Sequence, residues 1–329
     1  MRIHTEVNEP VVKLEPLFKE YLWGGNHLKE KFGKKYAGDI AESWELSAHS
    51  QGVSKIADGD MKGHFFTDYL QVIGKKGLGT NANRYDKFPI LIKFIDAARL
   101  LSIQVHPDNL YALQVEGEYG KNEMWYVVDA KPDAFLYYGL KESLTKQELR
   151  ERIENKTLKE VLNKVPVQAG DALFVKAGVI HAIGEGMIIC EIQQNSNLTY
   201  RIDDFGRKDK YGNLRELHID KALASTDIDL NVALAKIGPI KSSVGEKEKT
   251  RLVESIYFTV DLIKNQSVHE VKVDRTSFVA LVFMKGEGLL KSSDTGLGHH
   301  FKAGDTFFVT AGERTVIVDG SSEFLTVRI

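Results

Sequence analysis

A mainly β architecture of two related barrels, with a short helical insertion in the first, is what this sequence predicts. Short β-branched and aromatic runs separated by Gly, Asp and Asn dominate, as in Ala134-Phe-Leu-Tyr-Tyr138, Asp171-Ala-Leu-Phe-Val175, Met187-Ile-Ile-Cys-Glu-Ile192 and Tyr257-Phe-Thr-Val-Asp-Leu262. Such spacing belongs to a sandwich or barrel and not to alternating strands and helices. An internal repeat doubles the unit. Gln168-Ala-Gly-Asp-Ala-Leu-Phe-Val-Lys-Ala-Gly178 and Lys302-Ala-Gly-Asp-Thr-Phe-Phe-Val-Thr-Ala-Gly312 agree at seven of eleven positions, and one recurring strand signature implies two related barrels.

In chain order, Trp23-Gly24-Gly25 reads as a tight turn beside an aromatic residue. Pro89-Ile-Leu-Ile-Lys-Phe-Ile-Asp96 is a strand with one lysine, Lys93, inside an apolar run. That lysine either faces inward with a partner or guards an edge. Leu101-Ser-Ile-Gln-Val-His106 and Asn122-Glu-Met-Trp-Tyr-Val-Val128 are further strands. Helix is expected mainly as the insertion at about 140–165. Thr145-Lys-Gln-Glu148 and Thr157-Leu-Lys-Glu160 both fit the capping box, in which hydroxyl and carboxylate satisfy the free amides of a first turn. Leu149 with Ile153, and Leu158 with Val161, Leu162 and Val165, supply helical apolar spacing. A third helix is expected from about Leu217 to Leu223. Residues near 226–250 are mixed and end in the charged Glu246-Lys-Glu-Lys-Thr-Arg251, which reads as a passage between domains. The division expected is 1–240 for a first barrel carrying the chemistry and 241–329 for a second.

Composition limits the function. At 329 residues two domains are the default. The net charge of -2 gives no field for nucleic acid or for an anionic membrane surface. Any anionic substrate therefore needs a locally basic pocket. Cys190 is the single cysteine, so no disulfide forms within the chain and a cytoplasmic location is expected. The first ten residues hold no apolar core of a signal peptide, and no run of about 18 apolar residues occurs. A membrane role is not expected.

The chemistry-bearing residues sit on these strands. Gln104 and His106 are two apart, so an extended strand turns both to one face. Glu123 opens another strand, and His181 follows the turn Ala177-Gly178. A lone histidine in an apolar strand is more often a core residue than a ligand. Two imidazoles, a carboxylate and an amide oxygen nevertheless form a donor set suited to zinc or a similar divalent ion.

The company of those residues decides between these readings. Trp23-Gly-Gly25, Glu42-Ser-Trp-Glu45, Pro89-Ile-Leu-Ile-Lys-Phe-Ile-Asp-Ala97, Leu101-Ser-Ile-Gln-Val-His-Pro-Asp108, Gly120-Lys-Asn-Glu-Met-Trp125, Ala177-Gly-Val-Ile-His-Ala-Ile183 and Glu191-Ile-Gln-Gln-Asn-Ser-Asn-Leu-Thr-Tyr-Arg201 occur in order. They resemble the successive signatures of type I mannose-6-phosphate isomerases, over residues 16 to 222. Gly-Asp before a strand and Ala-Gly after it resemble the cupin superfamily of small jelly-roll barrels. The resemblance implies one Zn2+ per chain on Gln104, His106, Glu123 and His181. It implies isomerisation of mannose 6-phosphate to fructose 6-phosphate through a cis-enediol. Arg201 matches the active-site arginine; always charged, it is a stabiliser of developing negative charge and not a base. Lys93 and Lys121 match positions lining the site, as catalytic or substrate-binding groups. The base stays open among Lys93, Lys121 and the carboxylates near the metal. Thr315 stands where the repeat would place a second His181, so the second barrel is expected to lack a metal site.

Two other readings compete. His106, His181 and Glu123 also form the ligand set of a non-haem iron oxygenase, though that chemistry has no need of Lys93, Lys121 and Arg201. A non-catalytic sugar-binding cupin is the other. Weaker features are His299-His300, adjacent and so on opposite faces of a strand, and His49, either lining the substrate side or a turn histidine.

Overall fold

The computed structural model describes residues 9–209, 211–235, 239–241 and 248–329. It is mainly β, and its described strands fall into a five-stranded, a seven-stranded and a ten-stranded sheet, with one small hairpin besides. The five- and seven-stranded sheets face one another to make the first barrel. Strand alternation explains how that barrel carries polar groups inside. All residues of Ile90–Ala97 and of Met187–Gln194 are buried. Ile90, Ile92 and Phe94 point to one hydrophobic core, together with Ile188, Cys190 and Ile192. Ile95, Ala97, Met187 and Ile189 point to another, and the two-residue period puts Lys93 and Glu191 on that second, inner face. With both faces covered, these strands read as nearly continuous apolar runs.

The five-stranded sheet runs in the order Leu162–Pro166, Phe135–Leu140, His181–Ile183, Ile103–Val105, Tyr200–Asp203. Its outer face packs Ile103, Val105, Ala182 and Ile202 on the helical residues Leu149, Ile153, Ala222 and Leu223. Its inner face carries Leu136, Tyr138 and Ile183 in the barrel's core and, beside them, Gln104, His181 and Arg201.

The ten-stranded sheet belongs mostly to residues 249–328, but Val11–Glu15 joins it by pairing with Thr306–Val309 and with Lys55–Ile56. Val12 and Leu14 thereby enter the core shared between the barrels. The sequence repeat has a local cause. Gln168 N donates to the Asp171 carboxylate at 3.0 Å, and Lys302 N to the Asp305 carboxylate at 2.9 Å. Gly170 and Gly304 turn the chain at φ 93° and 87°, where a side chain would be strained. Both copies are thus the same turn into a strand, closed by an aspartate that accepts from the backbone N–H three residues before it.

Helices depart from expectation in several places: Leu162 and Val165, expected in the second helix of the insertion, lie in the strand Leu162–Pro166, and His27–Phe32 and Asn109–Val115 are helices outside the insertion. Lys146–Glu154 starts at Thr145 with the predicted box, Thr145 Oγ1 accepting from Glu148 N and Glu148 accepting from Thr145 N. Leu158–Val161 has no such cap. Thr157 is not extended, at φ -105° and ψ 8°, and Glu160 pairs with Arg152 at 3.0 Å instead. The third helix runs Ile219–Ser225, two residues later than expected. Phe66–Leu78 is a helix outside the insertion, broken at Gly74. Its Phe66 and Tyr69 are buried in the shared core, so packing overrides two glycines and several β-branched residues. The passage near 226–250 holds another helix, Ile228–Ala235, and a short strand, Ile240–Lys241. The charged run at 246–251 lies in part outside the described residues. No described helix is long and apolar enough to cross a membrane.

Candidate active site and metal centre

The facing sheets bring His106, Glu123 and His181 into one buried cluster, ligand atoms within 4.8 Å of each other. His181 is in register with Gln104, and Gln104 with Arg201 on its other side. Histidine, glutamine and arginine therefore form a row across three strands, spaced by about 4.8 Å per strand. Glu123 opens the strand opposite, Glu123–Ala130.

Hydrogen bonds fix both imidazoles. His106 Nδ1 is 2.8 Å from Leu198 O, and His181 Nδ1 is 2.8 Å from Val179 O. A carbonyl only accepts, so each Nδ1 carries the proton and each Nε2 presents a lone pair. Those Nε2 atoms lie 3.2 Å apart, with Glu123 Oε2 3.4 Å from the first and Oε1 3.5 Å from the second. Two imidazole lone pairs and a carboxylate converge here, with the Lys121 ammonium 3.1 Å from His106 Nε2 as the one cation beside them, and such a donor set fits a divalent cation. Burial, reinforced by Lys121, pushes His106 down to about 4. Burial lowers His181 as well. Burial alone would raise Glu123, yet Lys121 and the two histidines hold it well below the usual carboxylate range. All three are in the protonation state that metal binding requires. The Gln104 amide lies 3.4 Å from His181 Nε2. A half-turn of that amide exchanges its nitrogen for its oxygen, which would complete the set.

The cluster borders a cavity of about 380 Å³. Gln104 and Lys121 close one end, and Lys93, Glu42 and Glu191 line the wall. Lys121 Nζ is 2.7 Å from Glu123 Oε2 and 3.5 Å from Glu191 Oε1. Lys93 Nζ is 3.1 Å from Glu191 Oε1 and 3.5 Å from Glu42 Oε2. Indole donors hold the carboxylates in place: Trp125 Nε1 donates to Glu191 at 2.9 Å, and Trp44 Nε1 to Glu42 at 2.7 Å. Burial would lower Lys93, but Glu191, Glu42 and Glu123 outweigh it and raise the ammonium above its ordinary value. Lys93 is therefore a fixed cation and a poor base.

Arg201 lines the same cavity, donating from Nη1 to Glu216 O at 2.7 Å. The inward-facing reading of Lys93 holds, since it is only 4 % exposed. Gln104, His106, Glu123, His181, Lys93, Lys121 and Arg201 thus all reach this one site. Sequence reasoning gave no role to several others on the cavity wall, Glu42, Ser102, Glu191 and Arg215 among them. Glu42 and Glu191 were visible as carboxylates within otherwise apolar strands. Ser102 was visible as the residue two before Gln104. Arg215 lies outside any strand or helix, with no periodicity to mark it.

Trp23 lines the cavity and stacks on Tyr21 at 4.6 Å. His49 stays out of it, buried against Trp44 with Nε2 2.6 Å from Glu118. His299 is held by Asp58 at 2.9 Å, and His300 borders a separate groove. Neither joins a metal-type cluster among the described residues. Thr315 sits in the strand Arg314–Asp319, and no such cluster surrounds it among the described residues.

The comparisons with known proteins agree with this geometry. The family description of the phosphomannose isomerase type I catalytic domain matches residues 11–138. A mannose-6-phosphate isomerase of Streptococcus mutans is 39% identical over 83% of this chain and 86% of its own length. The mannose-6-phosphate isomerase ManA of Bacillus subtilis is 33% identical over 94% and 96%. The crystal structure of the mannose 6-phosphate isomerase from Bacillus subtilis superposes with a TM-score of 0.85 at 31% identity, covering 97% of this chain and 99% of the other.

Proposed function

The chain belongs to the type I phosphomannose isomerases, and from that premise we propose that it isomerises mannose 6-phosphate through a cis-enediol at a single zinc-type centre on His106, Glu123, His181 and Gln104. It is an aldose-ketose isomerase of the cupin fold. The observation carrying the metal reading is the pair of Nε2 lone pairs 3.2 Å apart against Glu123. Mixed nitrogen and oxygen donors favour zinc among common divalent ions. When bound, the ion supplies a Lewis acid for charge that develops on the sugar oxygens.

The chain's own groups do the rest in this reading. Lys93, held protonated, and Arg201, always charged, stabilise negative charge from two sides of the cavity. The proton leaving C2 is taken by Lys121 or by one of the carboxylates Glu42 and Glu191. Oxygenase chemistry has no use for this grid of lysines and glutamates, and the relatives are isomerases. The sheets support a division into a catalytic barrel at 1–240 and a second barrel at 241–329, except that Val11–Glu15 and Lys55–Ile56 join the second barrel's sheet and Ile240–Lys241, at the boundary, pairs with Asp171 and Ala172 of the first. A cytoplasmic location fits the lone Cys190, buried in the shared core.

Metal content and activity measured together test this. Wild type is expected to bind about one divalent ion per chain and to lose isomerase activity on chelation. His106→Ala and His181→Ala are expected to lose both together, as removal of one ligand leaves an incomplete shell. Full metal retention in both variants would contradict the ligand set.

A further inference from the structure

We propose that Arg215, acting with Ser102 beside Arg201, grips the phosphate of the sugar phosphate and sets the preference for phosphorylated over free sugar. This rests on the isomerase reading above and adds a specificity residue to it. The cavity has two ends of opposite charge balance. Near the metal cluster, Lys93 and Lys121 meet three carboxylates, Glu42, Glu123 and Glu191, each ammonium already within 3.5 Å of two of them. A phosphate dianion brought there would face a surplus of its own sign. Beyond Arg201, which is in register with Gln104, Arg207 and Arg215 meet one buried carboxylate, Asp204, at the other end. Glu216 is the second carboxylate nearby, and its side chain is 83% exposed, so water screens it.

Arg215 is held in place for such a role. Its Nε is 3.3 Å from Asp204 Oδ2, its guanidinium lies 5.0 Å over the Trp23 ring, and its Nη2 is 3.3 Å from Ser102 Oγ. The side chain is only 18% exposed. Asp204 already has Arg207, so a second arginine leaves this end in cationic excess. Burial and the facing charge of Arg201 push Arg215 down to about 10, a repulsion that a bound anion would relieve. Donors are also left over. Arg201 Nε and Trp23 Nε1 are buried with no hydrogen-bond partner among the described residues, and both residues line the cavity. Phosphate offers only acceptors, and guanidinium binds it with two parallel donors.

The spacing agrees. Ser102, Gln104 and His106 alternate along one strand face, so Ser102 stands about 7 Å beyond Gln104, away from His106. That is comparable to the reach from C1 and C2 of an open-chain hexose to the phosphate on C6. The reacting carbons at Gln104 and Lys121 then place the phosphate at Ser102 and Arg215.

The test is steady-state kinetics on the metal-loaded enzyme with inorganic phosphate as competitive inhibitor. Arg215→Ala is expected to raise KM for mannose 6-phosphate and Ki for phosphate together, by roughly 10- to 100-fold, as for one lost charge-assisted contact. kcat and metal content should stay near wild type. Arg215→Lys should fall between, because an ammonium keeps the charge and loses the fork. If Arg215 merely neutralised Asp204, Arg215→Ala would lower Tm and leave the phosphate Ki unchanged, and that result would overturn the proposal. Should Arg215→Ala not fold, Arg215→Lys and Ser102→Ala decide: wild-type Ki in both overturns it. A wild type unable to isomerise mannose 6-phosphate would instead defeat the isomerase reading, so the two failures are distinguishable.

Discussion

Two imidazoles whose Nδ1 protons are committed to carbonyls at 2.8 Å have no choice but to aim lone pairs at one another. This makes the metal-free protein sensitive to acid. The unfolded histidines take up protons near 6.5, whereas burial and Lys121 lower His106 to about 4 and burial lowers His181. Below about 6.5 the unfolded chain therefore binds more protons than the folded one. Stability present at neutral pH is lost as pH falls, by at most about 1.4 kcal/mol per pH unit per histidine. Denaturant titrations of chelated protein at pH 7.5 and pH 5 should show this, with a smaller difference in His106→Asn. Equal differences in wild type and variant would remove His106 as the cause. Arg201→Ala tests the other half of the site. If Arg201 stabilises the enediolate, kcat should fall on the order of 10²-fold with metal content intact, by analogy with deleting one oxyanion donor. A rise in KM with kcat unchanged would instead make it a phosphate contact only. At this scale strand alternation made Gln104, His106, Glu123 and Lys93 legible in the sequence, since one face is fixed once the strand is. Arg215 was not, because its position depends on contacts with Ser102, Asp204 and Trp23 that come from distant segments.

Among the elements, the helical insertion separates sequence signal from realised structure. Two boxes of the same form, at Thr145 and Thr157, differ only in what surrounds them. Thr145 is extended and caps Glu148 N at 3.1 Å. Thr157 makes no side-chain cap, and its Glu160 is drawn to Arg152. Thr145→Ala is therefore expected to cost about 1 kcal/mol and Thr157→Ala only a few tenths. Equal losses by denaturant unfolding would mean that Thr157 caps its helix in solution. The repeat was legible for a firmer reason. A Gly-Asp turn closes its own hydrogen bonds locally, as Asp171 and Asp305 do, so it leaves the same mark in both copies. The Phe66–Leu78 helix was illegible because it is held by burial of Phe66 and Tyr69 and not by helix-forming residues.

Across the whole molecule each barrel keeps an inner core of its own, and a third core joins the two. Phe308, from a strand of the second barrel, packs against Phe66 at 5.1 Å, Phe88 at 6.2 Å and Phe278 at 5.0 Å. Ile92, Phe94, Ile188 and Cys190, on the outer face of the sheet carrying Lys93 and Glu191, belong to the same cluster. The second barrel therefore covers the back of the catalytic sheet, and removing it would expose a buried apolar face. Neither barrel is expected to melt alone. Phe308→Ala should cost about 3–5 kcal/mol, the range for a large aromatic deleted from a packed core. It should lower a single calorimetric transition and not split off a second one. Loss of activity on heating should track that transition in wild type and variant alike, because the strands holding Glu123 and Lys93 lose their backing when it occurs. Two well-separated transitions, with activity lost only at the higher, would show that the catalytic barrel stands without its partner.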